Sequence, residues 1–165
     1  VMNWSDFQSI LDGEFWNYYL EREESITNIN TLVVNELRKD KNLKIGLVDF
    51  GPLYPLGPNN QRWQNGVNLN SLLPLIDEIH PTFYFVDLDL IKEKYDIYKK
   101  VLNNKVEMIP AMRTILPQVS NQLDLKNQLQ VFNQDASGFS FYNYSFMNYE
   151  NLEWINQSLS ENGDI

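Results

Sequence analysis

The stretch "PTFYFVDLDLIKEKYDIYKKVLNNKVEMIPAMRTI", residues 81–115, decides the fold class. Its first ten residues are rich in aromatic and β-branched side chains, which is typical of a buried strand. Residues 91–103 then carry apolar side chains at a helical period, and residues 105–115 form a second apolar run that Pro110 interrupts. No hairpin turn separates the two strands, and the helix between them is long enough for a crossover. Strands joined in this way run parallel, so the stretch predicts an α/β fold.

The same alternation extends in both directions from this stretch. Residues 43–50 form a short apolar run that Gly51 and Pro52 stop, and residues 69–80 read as a helix capped by Asn68 or Asn70. Further along, the pattern predicts a helix, a strand and a closing helix, the last capped by Asn148 or Asn151; their ranges are 123–135, 138–145 and 151–159. Two helical stretches, 3–25 and 23–40, come first. The sequence therefore predicts one α/β domain over residues 1–165, with two helical stretches and then four βα units.

The composition favours a folded domain with a small polar partner. The chain is 43% hydrophobic and 13% aromatic, carries a formal net charge of −9 and contains no cysteine. The negative charge argues against nucleic acids and anionic membranes as partners, because their phosphates would be repelled. No window approaches the roughly 18 consecutive apolar residues of a membrane helix. Nothing in the sequence indicates a cellular compartment.

Four parallel βα units make either an open sheet or part of an eight-stranded barrel. Nucleotide-binding open sheets carry a glycine-rich loop after a strand, and this chain has none. The prolines of "GPLYPLGPNN" (51–60) lack the N–H groups that a phosphate needs. The predicted strand ends carry Asp, Arg, Tyr and Asn, which suits a barrel mouth and favours half or part of a (β/α)8 TIM barrel.

Two segments resemble the second half of glycoside-hydrolase-like (β/α)8 barrels. "REESITNINTLVVNELRKDKNLKIGLVDF" (22–50) is similar to a helix that begins with an Arg and an Ile-Thr pair and leads into a Lys-x-Gly strand. "GFSFYNYS" (138–145) looks like the last barrel strand. The resemblance implies a carboxy-terminal half-barrel that binds or hydrolyses a glycan.

The resemblance also implies a catalytic acid at the end of the fourth strand, just before this chain begins. "VMNW" (1–4) contains no carboxylate, so the acid would lie in an amino-terminal half that acts as a partner. A half-barrel alone would expose a sheet edge on each side, and a homodimer partner would then be expected.

Asp49 and Asp87 are the candidate catalytic carboxylates, because glycoside cleavage needs two carboxyl groups flanking the bond. Both lie towards the ends of predicted strands. Asp49 could instead cap a helix or pair with Arg113. Asp87 and Asp89 share one face of their predicted strand, and a carboxylate in an apolar run needs a partner or a function. For Asp89, capping of the following helix is favoured.

Substrate-binding candidates come from loops and strand ends. Tyr54, Arg62 and Trp63 lie in the loop after the first strand, where an indole could stack on a sugar. Arg113 could bind a carboxylate bidentately or form a salt bridge with Asp87 or Asp89. Tyr142 and Asn143 offer hydrogen bonds to a polyol, although aromatic residues in strands often belong to the core.

Metal and cofactor sites are not predicted. His80 is the only histidine and lies at the end of a predicted helix, so a zinc site is disfavoured. Two functions remain open: a carbohydrate-active barrel fragment that binds or cleaves a glycan, and a non-catalytic binding or structural module without a complete active site.

Overall fold

The structure is a computed structural model that describes Ser9 and residues 14–50, 66–132 and 136–161. The chain forms two compact units, one of Val1–Ile45 with Leu56–Ile76 and one of Gly46–Pro55 with Asp77–Ile165. None of the helices in these described ranges is long and apolar enough to cross a bilayer. Because each unit has its own contacts, the two are described separately.

The first unit is helical in its described part. Helix α1 spans Glu14–Leu37, so both predicted amino-terminal stretches contribute to one continuous helix. Helix α2 is short, Leu69–Leu72, and a 3-10 helix, Leu73–Leu75, follows it directly. As predicted, the Asn68 side chain caps α2 by accepting from the Ser71 N–H, and it also donates to Glu23 of α1 at 2.6 Å. These bonds tie α2 to the middle of α1.

The second unit contains five short strands and three helices in its described residues. In chain order these are β1 (Gly46–Asp49), β2 (Glu78–Pro81), α3 (Leu88–Leu102), β3 (Glu107–Met108), β4 (Ala111–Arg113), α4 (Gln122–Phe132), β5 (Ser140–Tyr142) and α5 (Tyr149–Glu161). A 3-10 helix, Tyr144–Phe146, joins β5 to α5. Helix α4 packs against both α3 and α5.

All paired strands are parallel, which confirms the predicted α/β class. The three-stranded sheet has the order β1-β2-β3 and the two-stranded sheet pairs β4 with β5. A parallel bridge from Thr82 to Ala111 joins them and continues the register of β2 with β3. The strands therefore follow one another in space in the order of the sequence.

Pro110 separates β3 from β4, as its position in the predicted third strand indicates. Proline has no N–H to donate to the ladder. Its carbonyl still accepts from the Ser140 N–H at 2.9 Å, and the Phe83 N–H donates to the Ala111 carbonyl at 2.8 Å. The chain thus runs on in the same direction although the regular strand is interrupted.

The two faces of the sheet differ in chemistry. One face packs against the helices, with Ile79 and Met112 fully buried. Phe83 lies one alternation beyond Pro81 on this face and contacts the rings of Tyr98 and Phe132, with centroids 5.8 and 5.0 Å apart. The alternate residues form the second face; they are Gly46, Val48, Glu78, His80, Thr82, Glu107, Ala111, Arg113, Ser140 and Tyr142.

The predicted second strand, residues 81–90, is wrong in position. The strand is Glu78–Pro81, whose first three residues the sequence had placed in a helix, and residues 88–90 begin α3. The polar residues of β2 on the second face hide its strand character, while the aromatic run after it serves core packing. His80 consequently lies in a strand rather than at a helix end, and its Nε2 lies 3.0 Å from Glu78 Oε1.

The ends of the later helices agree better with the sequence. The amino end of helix α5 is capped by two reciprocal hydrogen bonds. The backbone N–H groups of Asn148 and Asn151 each donate to the other residue's side-chain oxygen, at 3.0 and 2.8 Å. Helix α3 ends at Asn103, which has the left-handed backbone conformation, φ 46°. Both are capping arrangements that short polar side chains favour.

Candidate functional site

Three side chains meet at the carboxyl edge of the parallel strands. Arg113 and Tyr142 are the last residues of β4 and β5 and are register partners, while Tyr84 lies just after β2. The Tyr84 and Tyr142 rings stack with centroids 5.7 Å apart and planes 26° apart, and Arg113 Cζ lies 5.4 Å from the Tyr84 centroid. We call these three residues the arginine–tyrosine cluster.

The position of the cluster follows from strand direction and side-chain alternation. Parallel strands present their carboxyl ends at one edge, which is where ligands of such sheets bind. Arg113 and Tyr142 both belong to the second face of the sheet because they are paired residues. Tyr84 follows Thr82 at the same alternation. The fold therefore brings together one residue from β4, one from β5 and one from the segment after β2.

Arg113 has no hydrogen bond or ion pair to any described residue, and its Nε is buried without a partner. The salt bridge with Asp87 or Asp89 that the sequence left open is therefore not formed. Stacking on Tyr84 gives a cation–π attraction of about 0.5–1 kcal/mol. An unmade hydrogen bond of a buried charged group costs about 1–3 kcal/mol or more, so stacking alone does not offset it. The guanidinium is thus a charged group of this edge with an unsatisfied hydrogen-bond donor.

The two tyrosines offer a partly open aromatic surface. Burial raises the pKa of Tyr84, and the neighbouring Tyr142 adds to that rise, while Arg113 acts in the opposite direction. Tyr142 is 44% exposed. Neither hydroxyl has a hydrogen-bond partner among the described residues. The surface can therefore stack against a flat apolar ligand face and still offer hydroxyl groups.

Two buried amides hold the segment that carries Tyr84. Gln118 Nε2 donates to the Tyr84 carbonyl at 3.3 Å, and Gln128 Nε2 donates to the carbonyls of Phe85 and Gln118 at 3.4 and 2.9 Å. Each of these hydrogen-bond partners is a carbonyl oxygen, to which only the NH2 group of an amide can donate. The Oε1 atoms of both glutamines are buried without a partner among the described residues. The segment after β2 is therefore fixed by side chains from the loop after β4 and from α4.

The structure gives Asp49 and Asp87, the predicted catalytic carboxylates, hydrogen-bond partners in the second unit. Asp49 is 3% exposed, lies on the helix-packed face, and accepts a hydrogen bond from the Tyr98 hydroxyl at 2.6 Å. Asp87 lies outside any strand and caps α3, accepting from the N–H groups of Asp89 and Leu90 at 2.9 and 3.1 Å. The predicted cap, Asp89, is in the first turn instead. A catalytic role for the pair stays a prediction.

The remaining predicted binding residues divide into two groups. Asn143 follows Tyr142 directly, but its side-chain oxygen accepts from the Ser145 N–H and caps the 3-10 helix. Tyr54, Arg62 and Trp63 lie outside the described residues, so their proposed contacts with a sugar remain predictions. Of the residues predicted to bind a ligand, the structure places Arg113 and Tyr142 in the cluster.

The sequence analysis missed Tyr84, Gln118 and Gln128. Tyr84 was placed inside a predicted strand that in fact ends at Pro81, so its position at the edge was hidden. A signal was available, because Tyr84 alternates with Thr82 on a face that carries polar residues. The glutamines had no local signal, since their bonds cross ten or more residues of chain.

Among the cavities lined by described residues, we compare two that lie beyond opposite ends of the strands. The larger, about 340 Å³, is lined by Asp77, Glu107 and Met108 at the amino ends of β2 and β3. The smaller, about 160 Å³, is lined by residues that follow β2 and β4, including Val86, Gln118 and Gln128. Because ligands of parallel sheets bind at the carboxyl edge, we assign more weight to the smaller cavity and the adjacent cluster.

No protein-family model matches the chain, and neither a curated protein nor a solved structure is significantly similar to it. The candidate site is therefore defined by its geometry alone.

Proposed function

We propose that this chain binds a glycan at the carboxyl edge of its parallel strands, as the carboxy-terminal half of a glycoside-hydrolase-like (β/α)8 barrel. The observation that supports this is the arginine–tyrosine cluster, in which stacked rings adjoin a guanidinium that lacks a protein partner. Sugar rings have flat apolar faces and a rim of hydroxyl groups, so they match an aromatic surface beside hydrogen-bond donors.

Binding is better supported than hydrolysis. A hydrolytic pair must present two carboxyl groups to one bond. Asp49 faces the helices and Asp87 caps α3, so neither side chain belongs to the second face that carries Arg113 and Tyr142. The contacts of Asp49 and Asp87 therefore favour a module that binds a glycan without cleaving it.

Titration calorimetry with a panel of soluble oligosaccharides tests the proposal. Wild type should bind at least one oligosaccharide, and Tyr84→Ala should weaken that binding at least fivefold, since stacking of a flat ring on an aromatic side chain contributes about 1–3 kcal/mol. Tyr149→Ala is the matched control, because Tyr149 is 91% exposed and lies at the start of α5. Equal losses in both variants, or no binding by wild type across the panel, would refute the proposal.

Hydrolysis is measured in the same samples. Product analysis after long incubation should show intact oligosaccharide for wild type. Turnover that disappears in both Asp49→Asn and Asp87→Asn would instead restore the two carboxylates as a catalytic pair.

A further inference from the structure

The unpaired guanidinium of Arg113 indicates the class of glycan. We infer that the site selects an acidic sugar, whose carboxylate binds Arg113 while its ring stacks on the tyrosines; this inference rests on the proposed function. A neutral polyol would accept hydrogen bonds from Arg113 but would leave its charge uncompensated. A sugar carboxylate satisfies both requirements at once.

The geometry around Arg113 supports a bidentate contact. Its Cζ lies over the Tyr84 ring, 5.4 Å from the centroid, so the ring is one neighbour of the guanidinium. The side chain as a whole is only partly buried, and no described carboxylate or carbonyl accepts from it. The in-plane N–H groups are therefore the free donors, and their fork matches the two oxygens of a carboxylate.

The neighbours of Arg113 leave it as the charged group of the cluster. Burial raises the pKa of Tyr84, and the two acids predicted from the sequence are engaged elsewhere, Asp49 with Tyr98 and Asp87 with the first turn of α3. The ligand thus meets one positive charge beside two aromatic rings. A single carboxylate per bound sugar balances that charge.

The net charge of the chain opposes an acidic ligand at long range but not at contact. A formal charge of −9 repels an anion, and salt screens this repulsion beyond about 8–10 Å at physiological ionic strength. A contact with a partly buried guanidinium is screened less. Affinity for the acidic glycan should therefore hold or rise between about 20 and 150 mM salt, whereas a purely electrostatic attachment would weaken.

The experiment compares one sugar backbone in two charge states. Calorimetry on the full chain uses short galacturonan oligomers and the same oligomers as methyl esters, which are neutral. The acid should bind at least tenfold more tightly than the ester. Arg113→Gln should remove that difference, because it removes the charged group that distinguishes the two oligomers.

Two further variants separate charge from geometry. Arg113→Lys keeps the charge but loses the fork, so it should retain only part of the preference for the acid. Lys100→Gln is the control. It removes one positive charge from the last turn of α3, whereas the start of α3 follows the segment that carries Tyr84, and it should behave as wild type. Thermal melting of each variant verifies that it is folded.

Each outcome has a defined meaning. Equal binding of acid and ester by wild type overturns the acidic preference and leaves glycan binding intact. Absence of binding to both, and to the wider panel, overturns the proposed function itself. Acetate or citrate competing at the affinity of the oligomer overturns the assignment to sugars, because the site would then recognise any carboxylate.

Discussion

Tyr98 and Asp49 form a buried donor–acceptor pair between α3 and the end of β1. The hydroxyl donates to Asp49 Oδ2 at 2.6 Å, and both side chains are almost fully buried. A carboxylate in such surroundings must receive strong hydrogen bonds to remain ionised. The pair therefore explains why an acid ends an apolar strand without any need for catalysis.

Replacing Tyr98 with Phe should reduce the free energy of unfolding by about 1.5–3 kcal/mol, because the buried carboxylate loses a hydrogen bond from a neutral donor. Urea denaturation at neutral pH measures the change. Tyr142→Phe is the control, since its ring is 44% exposed and its hydroxyl has no partner among the described residues; its stability should stay within about 0.5 kcal/mol of wild type. Equal stabilities of the two variants would contradict the role assigned to the pair.

The same pair predicts a dependence on alkaline pH. Burial raises the pKa of Tyr98 well above its usual value, and the charge and hydrogen bond of Asp49 raise it further. The folded state thus holds this proton more tightly than the unfolded state. The stabilisation is fully present below about pH 10 and is lost as the pH rises towards the folded pKa. Between pH 9 and 11, wild type should lose stability more steeply than Tyr98→Phe, and parallel slopes would count against this.

For single residues, the sequence shows which side chains could bind a ligand better than it shows which contacts they make in the fold. Arg113 and Tyr142 could be predicted because they end apolar runs, and the structure brings them together. The partners of Asp49 and Asp87 could not, since one bond spans 49 positions and the other depends on where a helix begins. The residue types were informative, but the contacts that decide their function are tertiary.

Polar side chains cap the ends of several helices, and Asp87 caps the amino end of α3. Its carboxylate accepts from two N–H groups of the first turn, and the backbone there is extended. Asp87→Ala should lower the free energy of unfolding by about 1 kcal/mol, whereas Asp87→Asn should change it by only a few tenths, because Asn caps as well as Asp. Urea denaturation measures both. A large loss in Asp87→Asn would show that the charge itself is needed.

Helix α4 begins with a second arrangement, around Asp124. Its Oδ2 accepts from the hydroxyl and N–H of Ser120, and its own N–H donates to Asn121 Oδ1 at 3.0 Å. The bonds from Ser120 lower the pKa of the Asp124 carboxyl, with a smaller contribution from Asn121. This stabilisation is present above about pH 3.9 and is lost as the pH falls through the folded pKa.

Asp124→Asn should therefore be less stable than wild type at pH 6, by up to about 1 kcal/mol. The difference should shrink as the pH falls towards 3, because protonation removes the charged acceptor from wild type as well. Urea denaturation at several pH values follows it. A difference that does not change with pH would exclude the carboxylate as its source.

The element boundaries show why sequence patterns mislead locally. Residues 83–86 are as apolar as any strand, yet Phe83 serves the core between α3 and α4 by contacting Tyr98 and Phe132. The true strand, Glu78–Pro81, carries polar residues on its second face and resembles a helix end. Hydrophobicity reports burial, and burial arises from packing as well as from strand pairing.

At the scale of the molecule, the direction and succession of the strands were predictable. Each pair of neighbouring strands is joined by a segment long enough for the crossover that parallel pairing requires. The observed order, β1-β2-β3 with β4-β5 continuing it, follows the order of the strands in the sequence.

The two end strands, β1 and β5, each pair on one side only among the described strands. Unpaired strand edges promote association with another chain. We expect concentration-dependent self-association of the chain in sedimentation velocity experiments. Val48→Lys places a charge on β1 at a residue that is 50% exposed, and it should shift the equilibrium towards the monomer. A chain that stays monomeric at all concentrations would show that these edges are protected.

The two glutamine amides that hold the carbonyls of Tyr84 and Phe85 have a consequence for the kinetics of recognition. The stacking surface already has its final shape before any guest arrives, so little rearrangement should accompany capture. Association should then proceed in one fast step, and ligands should differ mainly in their dissociation rates.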